Sequence, residues 1–187
     1  MVELTRKTKE TSIEVKLNIN GSGQYKIDTG IGFFNHMLEA LSKHSGVDLF
    51  VHAEGDLDVD FHHTVEDVGI VIGKALKEAV KDISIARYGY AIIAMDEALV
   101  LTSIDFCNRI FLNFDCNING SIGNFDSELI EEFFKALVSN SGMVLHIKQL
   151  YGVNKHHIAE AIFKSFAHSL KMALKPAQSV LSTKGSL

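Results

Sequence analysis

The chain has 187 residues, of which 47% are hydrophobic, and it carries a formal net charge of −5. This composition is typical of an ordered globular protein. It argues against a disordered tail, a membrane span or a nucleic-acid partner, because neither a basic stripe nor an apolar run of about 20 residues is present. Two cysteines without metal-type spacing, Cys107 and Cys116, and an N-terminus without a signal-peptide core predict a cytoplasmic protein with reduced thiols.

The first half of the chain predicts strands and two helices. Apolar residues alternate with polar ones from Ile13 to Ile19, which indicates a strand with one buried face. The predicted elements are a strand over 13–19, a glycine turn, a return strand over 24–28, a helix from 33 that ends at Gly46, a strand over 47–53, and a helical run over 68–80 opened by the histidine-rich stretch 61–67.

The second half follows a similar order. Its predicted elements are strands over 90–95, 98–105 and 110–114, a polar loop through 124, a helix over 128–138 that Gly142 ends, a strand over 143–151, and a helical run over 161–174 opened by a second histidine-rich stretch, 155–160. The succession of helix, Ser-Gly stop, strand and histidine-opened helix therefore occurs twice.

This repetition indicates an internal duplication. A shift of 96 residues places Ser45 and Gly46 on Ser141 and Gly142. A shift of 94 residues places His62, His63 and Glu66 on His156, His157 and Glu160. The sequence therefore predicts an α+β fold and a single domain, 1–187, built of two similar units over approximately 1–90 and 91–187. Each unit is predicted to be a β-sheet with two helices on one face.

Each histidine-rich stretch is a candidate metal site. The pattern His-His-x-x-Glu at the start of a helix places two imidazoles and one carboxylate within roughly a 100° arc. This mixture suits manganese, iron or zinc. The 96-residue shift also pairs His36 with Glu132, which adds one ligand per repeat, and eight ligands suit two ions. The predicted metal ligands are His36, His62, His63, Glu66, Glu132, His156, His157 and Glu160.

The remaining histidines and Asp67 receive other interpretations. Asp67 is predicted to orient a histidine and not to bind metal directly. His146 lies in the middle of a predicted strand and is interpreted as structural. His52 and His168 have no equivalent in the other repeat, and they are interpreted as surface or packing residues.

Three basic residues outside the clusters could receive an anion. Arg87 precedes a predicted strand and Arg109 follows one, whereas Lys184 lies in the segment Ser182-Thr183-Lys184-Gly185. That segment offers hydroxyls, a lysine and a permissive backbone, which together can hold a phosphate. A solvated surface charge is the commoner role of a single basic residue.

Seven motifs together resemble the imidazoleglycerol-phosphate dehydratase family, and the resemblance covers nearly the whole chain. They are Arg6-Lys7-Thr8-Lys9-Glu10-Thr11, Thr29-Gly30-Ile31-Gly32-Phe33-Phe34-Asn35-His36-Met37, Phe61-His62-His63-Thr64-Val65-Glu66-Asp67, Arg87-Tyr88-Gly89, Met95-Asp96-Glu97-Ala98, Asn154-Lys155-His156-His157-Ile158-Ala159-Glu160-Ala161 and Ser182-Thr183-Lys184-Gly185. The resemblance implies a duplicated α+β fold, two Mn²⁺ ions per active site, and a large homo-oligomer of twenty-four subunits. It also implies active sites shared between neighbouring subunits.

The resemblance further implies a reaction on a phosphorylated imidazole. Imidazoleglycerol phosphate loses water to give imidazole-acetol phosphate in histidine biosynthesis, which is hydro-lyase chemistry. A metal-bound imidazolate expels the adjacent hydroxyl, a diazafulvene-like intermediate forms, and a carboxylate removes the neighbouring proton. Glu160, from its position in the site, and Glu10, from the resemblance, are the predicted proton-transfer residues. The predicted substrate and phosphate contacts are Glu10, His44, Arg87, Arg109, Lys164, Ser182, Thr183 and Lys184.

The chain departs from the family pattern at several positions. The family usually has aspartate where Asn35 stands and a phosphate-holding glutamine where Ala40 stands. It often has histidine at Glu132, and a Ser-Gly-Arg-Pro run where this chain has 107–110. The Glu132 change keeps a ligand, whereas the Ala40 change removes one phosphate contact. No fused phosphatase domain is expected.

Two other functions are compatible with metal-binding histidines. A ferritin-like storage cage would use carboxylate–histidine pairs on a four-helix bundle, and the alternating strands argue against it. A metal-dependent hydrolase would activate water on the ion and would turn over esters or amides without needing an imidazole ring.

Overall fold

The computed structural model of the chain describes residues 1–179. The elements of its first half are β1 (Val2–Lys7), β2 (Thr11–Asn18), β3 (Tyr25–Asp28), α1 (Gly32–Ser45), β4 (Asp48–Gly55) and α2 (His62–Val80). Those of its second half are β5 (Tyr88–Met95), β6 (Ala98–Phe106), β7 (Phe111–Asp115), β8 (Ser121–Ile122), β9 (Phe125–Asp126), α3 (Glu128–Ser141), β10 (Met143–Tyr151) and α4 (Lys155–Ala173).

The two halves share one topology, which confirms the predicted duplication and the α+β class. The first sheet has the strand order β1-β2-β4-β3 and the second has β5-β6-β10-β7. In each sheet the last strand, β3 or β7, pairs in parallel with its neighbour, whereas the other pairs are antiparallel. The equivalent elements are therefore β1 and β5, β2 and β6, β3 and β7, α1 and α3, β4 and β10, and α2 and α4.

The helices fill the space between the two sheets. Helices α1 and α2 pack on the first sheet, α3 and α4 pack on the second, and α2 meets α3 while α1 meets α4. Apolar residues from both halves join in one core, whose largest fully buried side chains include six phenylalanines: Phe34, Phe125, Phe133, Phe134, Phe163 and Phe166. Each sheet carries two helices on one face, as predicted. The two sheets exclude the four-helix bundle of a ferritin-like cage.

The α2–α3 contact depends on two glycines. A Cβ atom on Gly69 would lie 2.8 Å from the carbonyl oxygen of Phe133, and one on Gly73 would lie 2.4 Å from that of Leu137. Both distances are shorter than van der Waals contact. The backbones of α2 and α3 can approach this closely only because these two positions lack a side chain.

The helices end where the sequence predicts. Gly46 and Gly142 adopt left-handed conformations, with φ of 79° and 73°, directly after α1 and α3. This conformation ends a helix and is adopted most easily by glycine. None of the helices in residues 1–179 has the length and apolar content that crossing a membrane requires.

The pairing of β3 differs from the predicted return along the preceding strand. Strand β3 lies on the far side of β4, because the turn before it is bound to the start of β4: the amides of Ser22 and Gln24 donate to Oδ1 of Asp48 at 2.8 and 2.9 Å. The structure also adds β1 at the edge of the first sheet, and a short β8–β9 hairpin within the predicted polar loop.

Candidate active site

Three predicted metal ligands come together where α1 and α4 begin. Oε2 of Glu160 lies 3.3 Å from Nε2 of His156 and 3.8 Å from Nε2 of His36. One ligand atom from each of the three side chains lies within 4.8 Å of the others. We call His36, His156 and Glu160 the triad. Because His36 comes from the first repeat and the other two from the second, the triad joins the two halves.

Local sequence explains how α4 presents its part of the triad. The side chain of Asn154 caps α4 by accepting hydrogen bonds from the amides of His156 and His157 at 2.9 and 3.3 Å. The cap fixes the first turn of the helix. Residues four apart then lie on one face, so His156 and Glu160 are neighbours.

The triad fits a divalent metal. Two imidazoles and a carboxylate are the donors that manganese, iron and zinc accept. Burial opposes ionisation of Glu160, but the hydrogen bond from Lys164 and the charges of Lys164, His36 and His156 outweigh it and lower the pKa of this carboxyl group. Glu160 is therefore ionised at neutral pH and can act as a ligand or accept a proton.

The second histidine of the α4 cluster faces another neighbourhood. Nδ1 of His157 lies 2.6 Å from Oε2 of Glu97, and its Nε2 lies 3.5 Å from Asp96. The bond between Glu97 and His157 raises the pKa of the histidine and, with the amides of Asn154 and Val153, lowers the pKa of Glu97 to about 2. Adjacent helical positions point about 100° apart, so neighbouring histidines can serve different ions.

The α2 cluster shows the same divergence. Nδ1 of His63 lies 3.0 Å from Oδ2 of Asp56 and 3.9 Å from Oε2 of Glu10, and the Asp56 bond raises the pKa of His63. His62 points elsewhere, into a cavity beside the start of α3 that Asp60 and Glu128 also line. Glu10 itself is exposed.

Glu132 and Glu66 occupy positions equivalent to His36 and Glu160. Glu132 accepts a hydrogen bond from Nζ of Lys135 at 2.8 Å, and Lys135 also pairs with Glu131 at 3.2 Å. Among residues 1–179, the triad is the one set of three ligand side chains with mutual distances this short. The structure therefore assembles one candidate metal centre within the chain and leaves His62, Glu66 and Glu132 apart from it.

Comparison with known proteins identifies the family. A family model described as imidazoleglycerol-phosphate dehydratase matches residues 29–170. The imidazoleglycerol-phosphate dehydratases of Aliarcobacter butzleri and Clostridium kluyveri are 54% and 55% identical to the chain, over 100% and 99% of its length and 100% and 98% of theirs. The crystal structure of IGPD from Pyrococcus furiosus, in complex with (S)-C348, matches with a TM-score of 0.87 at 40% identity, covering 98% of this chain and 100% of that one. The corresponding structure from Staphylococcus aureus matches with a TM-score of 0.84 at 38% identity, covering 95% and 100%.

The chain belongs to the imidazoleglycerol-phosphate dehydratase family. It is therefore an enzyme of the hydro-lyase class, and the family works in histidine biosynthesis. The predicted family resemblance is confirmed.

The two arginines predicted to hold phosphate in this dehydratase lie far from the triad. Arg87 binds Asp105 through Nε and Nη2 at 2.6 and 3.1 Å, and Nη2 of Arg109 lies 3.6 Å from the same carboxylate. Arg87 directly precedes β5, whereas Glu97, the neighbour of His157, follows the other end of that strand. The length of β5 separates the two ends by about 25 Å. Ser182, Thr183 and Lys184 lie outside the described residues.

Asp67 has a different role from the predicted one. Its Oδ1 accepts a hydrogen bond from Nε of Arg6 at 2.8 Å, and its Oδ2 accepts one from the Thr11 hydroxyl. Asp67 and Thr11 are both buried. Asp67 therefore binds α2 to the β1–β2 turn that carries Glu10, instead of orienting a histidine. The spacing of Arg6, Thr11 and Asp67 along the chain gives no periodic signal that could reveal this contact.

His44 of α1, a predicted phosphate contact, lies beside His168 of α4, which was interpreted as a surface or packing residue. The rings of His44 and His168 have centroids 5.4 Å apart. The pKa of His44 is lowered by burial and by the nearby Lys164, His168 and Lys171, against the opposing charge of Glu160. His168 was interpreted as a surface or packing residue, and its contact with His44 could not be seen in the sequence because it is formed between two helices.

Proposed function

We propose that this chain catalyses the metal-dependent dehydration of D-erythro-imidazoleglycerol phosphate to imidazole-acetol phosphate and water. The observation that carries the proposal is the triad, which places two imidazoles and a carboxylate within 4.8 Å of one another in a chain of this family. The substrate itself contains an imidazole, which is a further ligand of the type that such metals bind.

We assign two Mn²⁺ ions to each active site. His36, His156 and Glu160 would hold one of them, and the divergence of His157 and His63 from their neighbours supports a second ion. Further ligands would come from the rest of the predicted set: His62, His63, Glu66, Glu132 and His157. A metal ion on the substrate's imidazole lowers the pKa of the ring and so favours loss of the adjacent hydroxyl.

Two carboxylates are candidates for proton transfer, and their surroundings differ. Glu160 is largely buried, and its Oε1 is bound to Nζ of Lys164 at 2.7 Å. Glu10 is exposed at the tip of the β1–β2 turn. Glu160→Gln should therefore reduce manganese content together with activity, whereas Glu10→Gln should reduce activity alone. Glu10 thus has the more accessible carboxylate for moving a proton to or from the substrate.

The active site is proposed to be shared between subunits of a homo-oligomer of twenty-four. Strand β5, about 25 Å long, separates Arg87 from the Glu97–His157 pair beside the triad, and this supports sharing because one small substrate cannot span that length within a single chain. Exposed apolar side chains on the second sheet, Tyr90, Ile92 and Phe111, supply a surface that favours assembly. In the assembly, Arg87 and Arg109 of one copy, with Lys164 and His44 of another, would bind the phosphate. Ser182, Thr183 and Lys184 would complete this phosphate contact.

Cellular location and partners stay predictions. We propose a cytoplasmic enzyme whose partners are its small substrate and its own copies, with no nucleic acid and no membrane. Cys107 and Cys116 are both unpaired thiols. Burial raises the pKa of Cys116 to about 12, so this thiol is chemically inert.

The test is a direct assay. Manganese-loaded protein is incubated with imidazoleglycerol phosphate, and the ketone product is measured as its enolate after addition of alkali. We expect product with manganese and none after removal of the metal by a chelator. Absence of product with the fully loaded, assembled protein would refute the proposal, and hydrolysis of simple esters instead would indicate the hydrolase.

A further inference from the structure

Helices α1 and α4 form a ladder of facing residues. His36 faces Glu160 near the start of the ladder, and His44 faces His168 at its other end. Both steps are eight residues long, so the two helices run in the same direction and in register. The rung between them consists of Ala40 and Lys164, about 6 Å from each neighbouring rung.

The middle rung combines a small side chain with a positive charge. Ala40 has only a methyl group, and Lys164 lies on the opposite helix with its ammonium bound to Oε1 of Glu160 at 2.7 Å. The last rung adds His44 and the exposed His168.

Two lysines and one carboxylate act on His44 along this part of the ladder. Lys164, His168 and Lys171 of α4 all act on His44 in the direction that opposes its protonation, and Glu160 is the carboxylate that acts against them. Glu160 also belongs to the triad, so its charge is shared with the metal site. An anion over the middle rung would be stabilised by the remaining positive groups.

We propose that His168 is a further substrate-binding residue that, with His44, contacts the phosphate over Ala40. This inference rests on the proposed function and deepens it. The metal triad holds the imidazole end of the substrate, and the rungs beyond it receive the phosphate at the other end of the three-carbon chain. His168 thereby favours phosphorylated substrates over their alcohols.

The test uses direct binding as well as turnover. Calorimetry measures binding of inorganic phosphate to the manganese-loaded protein, and steady-state kinetics measures KM and kcat for the substrate. His168→Ala should weaken phosphate binding and raise KM about tenfold, because a charge-assisted hydrogen bond is lost, while kcat changes little. Inhibition by free imidazole should not change, since imidazole binds at the metal.

Two variants serve as controls. His168→Arg places a guanidinium donor on this rung and should retain phosphate affinity and KM. His52→Ala removes an exposed histidine on β4, beside Asp28 and Glu54, and should leave every quantity unchanged.

The outcomes separate the inference from the proposed function. Wild-type turnover with unchanged phosphate affinity and KM in His168→Ala would overturn the inference and leave the dehydratase proposal standing. Loss of imidazole inhibition together with phosphate binding would also overturn it, since His168 would then act on the metal site. If the wild type binds phosphate through His168 but does not dehydrate the substrate, the proposed function fails while the phosphate contact stands.

Discussion

The two repeats place a glutamate at the same position and use it differently. Glu10 lies in the β1–β2 turn and Glu97 in the equivalent β5–β6 turn, and each faces the second histidine of its own repeat's cluster. Glu97 is fully engaged: it binds His157 at 2.6 Å and accepts hydrogen bonds from the amides of Asn154 and Val153 at 2.7 and 3.3 Å. Glu10 lies 3.9 Å from His63, whose close partner is Asp56.

The β1–β2 turn is held by Thr8 and Asp67, whereas the β5–β6 turn is held by Glu97. The Thr8 hydroxyl accepts hydrogen bonds from the amides of Glu10 and Thr11, and Asp67 binds the turn from α2. The position equivalent to Asp67 is Ala161, so the second repeat lacks this support. Duplication thus produced one turn whose glutamate holds structure and one whose glutamate is available for chemistry.

The largest expected effect is on catalysis. Glu10→Gln should lower kcat about 10²- to 10⁴-fold, because it removes the carboxylate that we propose transfers a proton. Glu97→Gln should lower it about tenfold or less, since the amide oxygen can still accept the hydrogen bonds from the amides of Asn154 and Val153 that hold the start of α4, and only the bond to His157 is lost. Steady-state assays of the two variants at equal manganese content measure both changes in kcat. Equal losses in both would mean that the two turns do not differ as described.

The second prediction concerns the support of the first turn. Asp67→Ala should lower the free energy of unfolding by about 1–3 kcal/mol, because the buried Thr11 hydroxyl loses its charged acceptor and keeps only the Thr8 hydroxyl, at 3.1 Å. The partly exposed Arg6 can bind water instead and adds little. Urea denaturation measures the difference, and Asp58→Ala, in the exposed loop before α2, is the control. An unchanged urea midpoint for Asp67→Ala would show that the β1–β2 turn is stable without Asp67.

The third prediction concerns Glu132, which occupies the position equivalent to His36 in the second repeat. Glu132→Gln should weaken binding of one metal ion about tenfold or more, and Glu132→His should restore it. Glu131→Gln is a matched control, since Glu131 also pairs with Lys135 but points about 100° away. Metal analysis after dialysis measures the stoichiometry. Equal manganese content in the wild type and Glu132→Gln would remove Glu132 from the site.

The smallest effect is on acid stability. The pKa of Glu97 is about 2 in the folded protein against its usual 4.5, so the unfolded chain takes up the proton first. The contribution of Glu97 to stability is therefore present above pH 4.5 and is lost as the pH falls towards 2. Urea midpoints of the metal-free wild type and Glu97→Gln should converge over this range. A constant difference between the two would contradict the assigned pKa.

Much of the fold was accessible from the sequence, because its signals are local. Alternation predicts β2 and β4, glycines mark the ends of α1 and α3, and the two histidine-rich stretches reveal the duplication. Pairing across the sheet is not local: β3 reaches the far side of β4 through the contact of its turn with Asp48. Strand β1 was missed because its burial alternates only between exposed and partly buried positions.

The candidate site was predicted as a set of residues and not as an arrangement. The repeat identifies His36, His156 and Glu160 as ligand types, but only the packing of α1 on α4 shows that they meet. The same packing brings His168 to His44. Contacts such as Asp67 with Arg6 join residues 61 positions apart, and no sequence period records them.

Gly69 and Gly73 set a limit on how the two halves can be exchanged. The shift of 94 residues places these glycines on Phe163 and Ala167, so the crossing of α4 with α1 has no equivalent cleft. Two copies of the first half could not reproduce the present interior, because an α2 shaped for α3 would meet the surface of α1 instead. A symmetric dimer of two identical halves therefore cannot replace this chain. If the chain were divided, both different halves would have to be produced.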